Sequence, residues 1–307
     1  MQPKPVVCVG RNSVDSYYRS KNSFHIGEKI LLEPLGYYYG GMIPNTATIL
    51  SALGIHTILF DTIGEDEHTQ PLLENLSSAG VDTRFIHRDK QYRTTHNDII
   101  LTDISGQTTS TILIKDVPRC PYVISREERS CLEHARIIYT TTRDLDSLRD
   151  FDMPDFCKQP ENSLVLDVED IELSKFEKDE KYLHLADIII FNLTGYQKLS
   201  QEFGNDIWTH LLNSRPNKLI VLTKGRAGCS VYHQGSVIDL PGISVPTVDC
   251  TGAGDTFNAV LLAHILNGKT PEESARLANA AAAHSTTIIG PRSYLNILLR
   301  KDYLTGP

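Results

Sequence analysis

The sequence lacks any Cys-x-x-Cys pair and any cysteine–histidine run at metal-binding spacing, although it holds six cysteines: Cys8, Cys120, Cys131, Cys157, Cys229 and Cys250. Secreted disulfide scaffolds and cysteine-rich zinc modules depend on such pairs, so both are disfavoured and scattered reduced thiols are expected. Long apolar runs are missing too, and MQPKP leads straight into VVCVG. This disfavours a membrane span and a signal peptide. Positive charge is in deficit, with 30 Lys and Arg against 38 Asp and Glu and a net charge of −8. Such a chain offers no basic face to nucleic acid or to an anionic membrane. No Gly-x-Gly-x-x-Gly follows the first strand, which disfavours a dinucleotide-binding dehydrogenase. What remains reads as a soluble cytoplasmic protein of 307 residues, 40% of them hydrophobic, enough for a substantial core.

What is present is an alternation of strand and helix. Pro5 to Gly10 reads as a buried strand running into a loop, RNSVDSYYR, with Asn12 and Asp15 just past the strand's carboxyl end, where open α/β sheets place ligands. A helix is predicted from Pro44 to Leu53 with Gly54 as its stop, then a strand from His56 to Phe60 and a helix ending at Gly80. Tyr92 to Lys115 reads as a Thr- and Ile-rich hairpin turning at Ile104-Ser105-Gly106-Gln107. With Phe24–Tyr39 it is expected to form a small lid sheet. Further strands are predicted at Arg136–Thr140, Ser163–Val168, Asp187–Asn192 and Lys218–Thr223, followed by a hairpin turning at Gln234-Gly235. Ile188 to Phe191 and Leu219 to Leu222 are continuous apolar runs, as central parallel strands buried on both faces require. Thr270, Pro271 and Glu273 form a helix start signal. The expected fold is one doubly wound, mainly parallel α/β/α domain over residues 1–307, with the lid inserted at about 24–39 and 92–115.

The stretch VDCTGAGDTF, Val248 to Phe257, carries the most chemistry. Gly252 and Gly254 let the backbone turn sharply before an apolar helical run that Gly268 stops. Unpaired amides at a helix start, together with the macrodipole, make an anion site. Asp255 in the same turn suits a group that takes a proton from a hydroxyl while those amides hold the developing charge.

With these pieces in order, the chain resembles the ribokinase-like sugar kinases, the phosphofructokinase B group. VGRNSVD is similar to the family's first strand and sugar loop, GGMIPNTATILSALG to its Gly-Gly-x-x-x-Asn helix start, VLTKGRAG to its nucleotide strand and loop, and VDCTGAGDTF to its second signature. The resemblance implies an ATP-dependent carbohydrate kinase with Mg²⁺. Asp255 would be the base, and the amides of Gly252, Ala253 and Gly254 the anion hole. Asn12, Asp15, Gly41 and Asn45 would hold the sugar hydroxyls. Asn192, Thr223, Gly225, Gly228 and Asn279 would line the nucleotide, while Asp249 and Thr251 match positions that bind a monovalent cation such as K⁺ in many members.

Three departures from the family pattern stand out: Met42 and Ile43 in place of Lys-Gly, Cys250 in place of Thr, and Gly195 in place of the Glu that helps organise Mg²⁺. The first makes the sugar pocket more apolar. The last leaves open a sugar-sensing relative without catalysis. A nucleoside kinase of the same fold is the other alternative, with Tyr17, Tyr37 and Met42 as a slot for the base. Arg11 beside the sugar loop suits an anionic group on the acceptor. The lid edges predict a homodimer.

Overall fold

A computed structural model describes residues 3–25, 27–104, 107–115, 122–148, 150–169, 176–204, 207–212, 215 and 217–298. In chain order the strands are β1 (Val6–Val9), β2 (Ser13–Ser20), β3 (Glu33–Gly40), β4 (Thr57–Gly64), β5 (Ile86–Asp89), β6 (Thr95–Ile104) and β7 (Gln107–Ile114). They continue with β8 (Ile137–Thr141), β9 (Ser163–Val168), β10 (Ile188–Asn192), β11 (Leu219–Thr223), β12 (Cys229–His233) and β13 (Ser236–Leu240). Nine of them make the main sheet, in the order β13-β12-β11-β10-β9-β8-β1-β4-β5. It is parallel from β5 to β11, and only the terminal hairpin β12–β13 runs antiparallel.

Alternate side chains of each parallel strand feed two cores. Val6, Cys8, Leu59, Tyr139, Val165, Ile190 and Val221 pack against the helices Met42–Ala52, Thr69–Ser78, Ala253–Leu266 and Pro271–Ser285. Val7, Val9, Phe60, Ile138, Leu166, Phe191 and Leu222 pack with residues of the helices Arg126–Glu133, Met153–Lys158, Phe176–Leu185 and Leu193–Phe203. The chain therefore folds as three α/β/α layers. Burial on both faces is why the strands read as unbroken apolar runs rather than alternating ones.

The second sheet has the order β3-β2-β6-β7, with β2 and β6 parallel. Its strand β2 corrects the loop expected at RNSVDSYYR. Tyr17 is fully buried there beneath Ile99 and Leu101, edge-on to Tyr38 with ring centres 4.9 Å apart. Tyr17 therefore cannot form part of a base slot. The turn residues Ser105 and Gly106 lie outside the described residues, as does Cys120. The described cysteines are free thiols, and no described helix is long and apolar enough to cross a membrane.

Several local signals act as their chemistry requires. Thr270 and Glu273 close a reciprocal capping box with Pro271 inside it. Gln234 and Gly235 both adopt positive φ, 49° and 79°, as a tight turn between antiparallel strands demands.

Candidate functional site

The helix Ala253–Leu266 starts from Gly252, whose backbone is left-handed at φ 77° and ψ 3°. A side chain there would be strained and would also press on Pro291, whose Cβ lies 2.7 Å from the position of an added Cβ. The Ala253 amide donates to Cys250 O at 3.3 Å. The Gly252 and Gly254 amides donate to no other described residue, and the side of Gly254 where a Cβ would stand is open. The turn thus presents donors and free space together at the positive end of a 14-residue helix.

Asp255 is buried on the first turn, and its Oδ2 accepts from Asn45 Nδ2 at 2.7 Å. Burial pushes this carboxyl well above the usual range. The Asn45 hydrogen bond opposes the rise, Asp167 and Glu169 add to it, and Arg292 works against it. Asn45 is itself oriented from the other side, since Arg292 Nε donates to its Oδ1 at 2.8 Å. The same guanidinium donates to Asn75 Oδ1 at 2.7 Å and to Gly40 O at 3.0 Å. Behind Asp255, Asp167 Oδ2 accepts from the Tyr139 hydroxyl at 2.8 Å and from Asn258 Nδ2 at 2.9 Å. This second carboxylate is held rigidly at the end of β9.

On the lid sheet, Asp15 lies on β2 between Tyr38 of β3 and Asn97 of β6. Its Oδ1 accepts from Ser13 Oγ at 2.8 Å and Asn97 Nδ2 at 2.9 Å. Burial raises its carboxyl, and Arg292 and His96 counter that. Gly40 leaves the space that Asp15 fills, because a Cβ there would collide with the carboxylate. Gly41, at φ 102°, caps the helix Met42–Ala52 and lies against the Arg11 carbonyl, again with no room for a side chain. Asn12 is turned away from Asp15. Its backbone N and Nδ2 both donate to Asp61 Oδ2 at 2.8 Å, while its buried Oδ1 has no hydrogen-bond partner. Burial lifts Asp61 to about 7, against the bonds from Asn12 and Thr62. Arg11 lines a small cleft with Asp61 and Asp144, so carboxylates of the chain itself already face it. Ile43 packs into the core under Gly10, whereas Met42 is only partly buried.

Asn192 and Thr223 are register partners at the carboxyl ends of β10 and β11. Asn192 caps the next helix, its Oδ1 accepting from Gly195 N at 2.7 Å. Gly225 and Gly228 both have positive φ. Gly228 packs so closely on Leu240, Pro241 and Gly242 that a Cβ could not fit, and Asn279 Nδ2 ties the same strand end down through Pro241 O at 2.8 Å. Asp249 fastens the signature turn: Oδ1 accepts from Thr251 N at 2.9 Å and Ser110 Oγ at 3.1 Å, and Oδ2 from Gly290 N at 2.9 Å. The hydroxyls of Tyr17 and Thr251 are buried close to it and to each other, and neither completes a hydrogen bond of normal geometry.

Gly195 has a structural reason to be glycine. A Cβ there would run into the Val168 carbonyl and stand 3.1 Å from Asn192 Oδ1. The glutamate expected from the family pattern would therefore require the end of β9 to move back from this helix. Two further residues of the site, Arg292 and Asn97, escape a reading of the sequence. The Gly290-Pro291 turn is the one local hint of Arg292, since glycine and proline side by side mark a chain reversal.

A family model described as pfkB family carbohydrate kinase matches residues 4–296. The chain is 26% identical to a ribokinase of Bacillus subtilis over 304 residues, covering 92% of this chain and 94% of that one. Among solved structures, an Arabidopsis thaliana ribokinase complexed with ribose and ATP superposes with a TM-score of 0.75 at 24% identity, covering 98% and 100% of the two chains. A Burkholderia thailandensis nucleoside kinase in complex with inosine gives 0.73 at 18% identity, covering 95% and 93%.

Proposed function

The chain belongs to the pfkB family of carbohydrate kinases, and from that premise we propose that it transfers the γ-phosphoryl group of ATP to a hydroxyl of a small sugar, with Asp255 as the general base. The observation that carries this reading is the pairing of a buried carboxylate with unpaired amides in one turn. Asp255 Oδ2 is fixed by Asn45, which leaves Oδ1 for the acceptor hydroxyl. A carboxylate raised by burial is a stronger base, so it can draw the proton as the new O–P bond forms and the bond to the β-phosphate oxygen breaks. The Gly252 and Gly254 amides and the helix dipole face the charge that develops on the phosphoryl oxygens. Asp15, whose Oδ1 accepts from Ser13 and Asn97, holds the sugar at the other end of the pocket. The buried acceptor Asn97 Oδ1, which has no partner in the fold and belongs to the amide that donates to Asp15, favours a ligand rich in hydroxyls.

Asp167, Glu169 and Asp255 bring three carboxylates to one end of the sheet. A hard divalent cation with oxygen ligands, Mg²⁺, suits that set and would neutralise phosphate charge when bound. Asp249, Thr251 and the Tyr17 hydroxyl form an oxygen-rich corner that suits K⁺.

A nucleoside acceptor is the second reading. It is favoured by rings gathered at the lid, where Tyr37 and His68 lie 5.5 Å apart and His68 and His96 4.8 Å apart. ADP release measured across a panel of pentoses, hexoses and nucleosides tests both readings. The sugar reading requires a sugar to give the highest kcat/KM. A nucleoside that outperforms every sugar overturns it, and no ADP release with any acceptor overturns catalysis.

A cytoplasmic location fits the composition. A homodimer through the lid fits its open edges, β3 and β7, and the exposed Leu31, Tyr37, Ile112 and Ile114.

A further inference from the structure

At the end of the main sheet remote from the catalytic turn, two helices bring together a set of side chains that the kinase reaction does not use. The helix Phe176–Leu185 carries Glu180 and His184 one turn apart, on one face. The helix Ile207–Leu212 presents His210 to them. Glu180 Oε1 lies 3.1 Å from His210 Nε2 and 3.5 Å from His184 Nε2. One donor atom from each of the three residues falls within 4.8 Å of the others. The imidazole rings are 5.1 Å apart, and Phe203 packs on His210 with ring centres 4.1 Å apart, which restrains that ligand.

These separations match a metal site. A tetrahedral zinc ion with ligands at about 2.0–2.1 Å sets its donor atoms about 3.3 Å apart. Two of the three separations are already within a few tenths of that value, so binding asks for little beyond replacing the mutual hydrogen bonds with bonds to the ion. All three side chains are partly exposed, at 33%, 30% and 39%, which leaves an entry path and a place for a water as fourth ligand. Two imidazoles and a carboxylate select a borderline transition metal over Mg²⁺, which prefers oxygen ligands alone. No cysteine takes part and the ligands come from two separate helices, so no spacing motif announces the set.

We propose that Glu180, His184 and His210 form a zinc site that clamps the helix leading into β10 to the helix leading into β11. The bound ion ties the two helices beneath the strands that end in Asn192 and Thr223, and its role is structural.

The test uses untagged, chelator-stripped full-length protein titrated with zinc chloride, with magnesium chloride as the control. One equivalent of zinc should bind and raise Tm, and a hundredfold excess of magnesium should not displace it. His184→Ala and His210→Ala should each weaken binding at least tenfold, while ADP release by the zinc-free protein, assayed with Mg²⁺, stays at the native level. Anomalous diffraction at the zinc edge on native crystals gives a second readout that needs no variant, and should place a peak among the three side chains. Absence of stoichiometric zinc binding, native affinity in the two variants, or a peak elsewhere each overturns the proposal.

Discussion

Arg292 offers the sharpest view of how the site is held together. Its guanidinium spans Asn45, Asn75 and Gly40 with three hydrogen bonds of 2.8, 2.7 and 3.0 Å, and lies between Asp15 and Asp255. Replacing it with methionine keeps the length of the stem and removes all three donors and the charge. A hydrogen bond from a charged group contributes about 1.5–3 kcal/mol, and a partly exposed site lets water recover some of it. A loss of about 3 kcal/mol is therefore expected, or at least about 5 °C in Tm for a chain of this size. A second effect falls on chemistry. With Oδ1 released, the Asn45 amide is free to rotate, and Asp255 loses the bond that aims it. One such bond corresponds to about tenfold in kcat. Arg292 also holds the Asp255 carboxyl down, so its removal should move the acidic limb of the kcat/KM profile to higher pH. Arg292→Lys restores the charge but cannot fork to three acceptors, so it should recover the pH profile and little of the stability. Thermal melts and pH–rate profiles of the two variants read these effects separately. Native Tm together with a native acidic limb in Arg292→Met would refute the assigned role.

Asp61 gives a pH-dependent stability. Its folded pKa of about 7 lies above its ordinary 3.8, so its contribution is complete below the lower value and is lost as pH rises through the upper one. The stability of the native protein relative to Asp61→Asn should fall by about 3 kcal/mol between pH 4.5 and 7.5, and a pH-independent difference would contradict the assignment. Gly195→Ala should cost about 1–3 kcal/mol, because the new methyl group must displace the Val168 carbonyl; a neutral substitution in a melt would show that β9 yields freely. For the lid, light scattering at micromolar concentration should return twice the chain mass of 34.3 kDa, and a monomer mass rules the dimer out.

The parts of this fold legible in the sequence are those whose cause is local. The apolar runs of β10 and β11, the capping box at Thr270 and the Gln234-Gly235 turn are each dictated by neighbouring residues. The glycine turn with Asp255 is legible for the same reason. Strand β2 is not, because SVDSYYRS is a polar run that becomes a strand only through partners in β3 and β6, far along the chain. The turn of Asn12 toward Asp61 is likewise a long-range event. So are the grip of Arg292 on Asn45 and the closeness of Val168 to Gly195. In each case the deciding atom belongs to a segment that sequence spacing cannot bring near.

The central claim is that Asp255 takes the proton from the acceptor. Asp255→Asn keeps the shape and removes the basicity. With the best acceptor from the panel, its kcat should fall by about 10²–10⁴ while acceptor binding, measured by calorimetry, stays close to native. A variant that releases ADP at a near-native kcat would contradict the account.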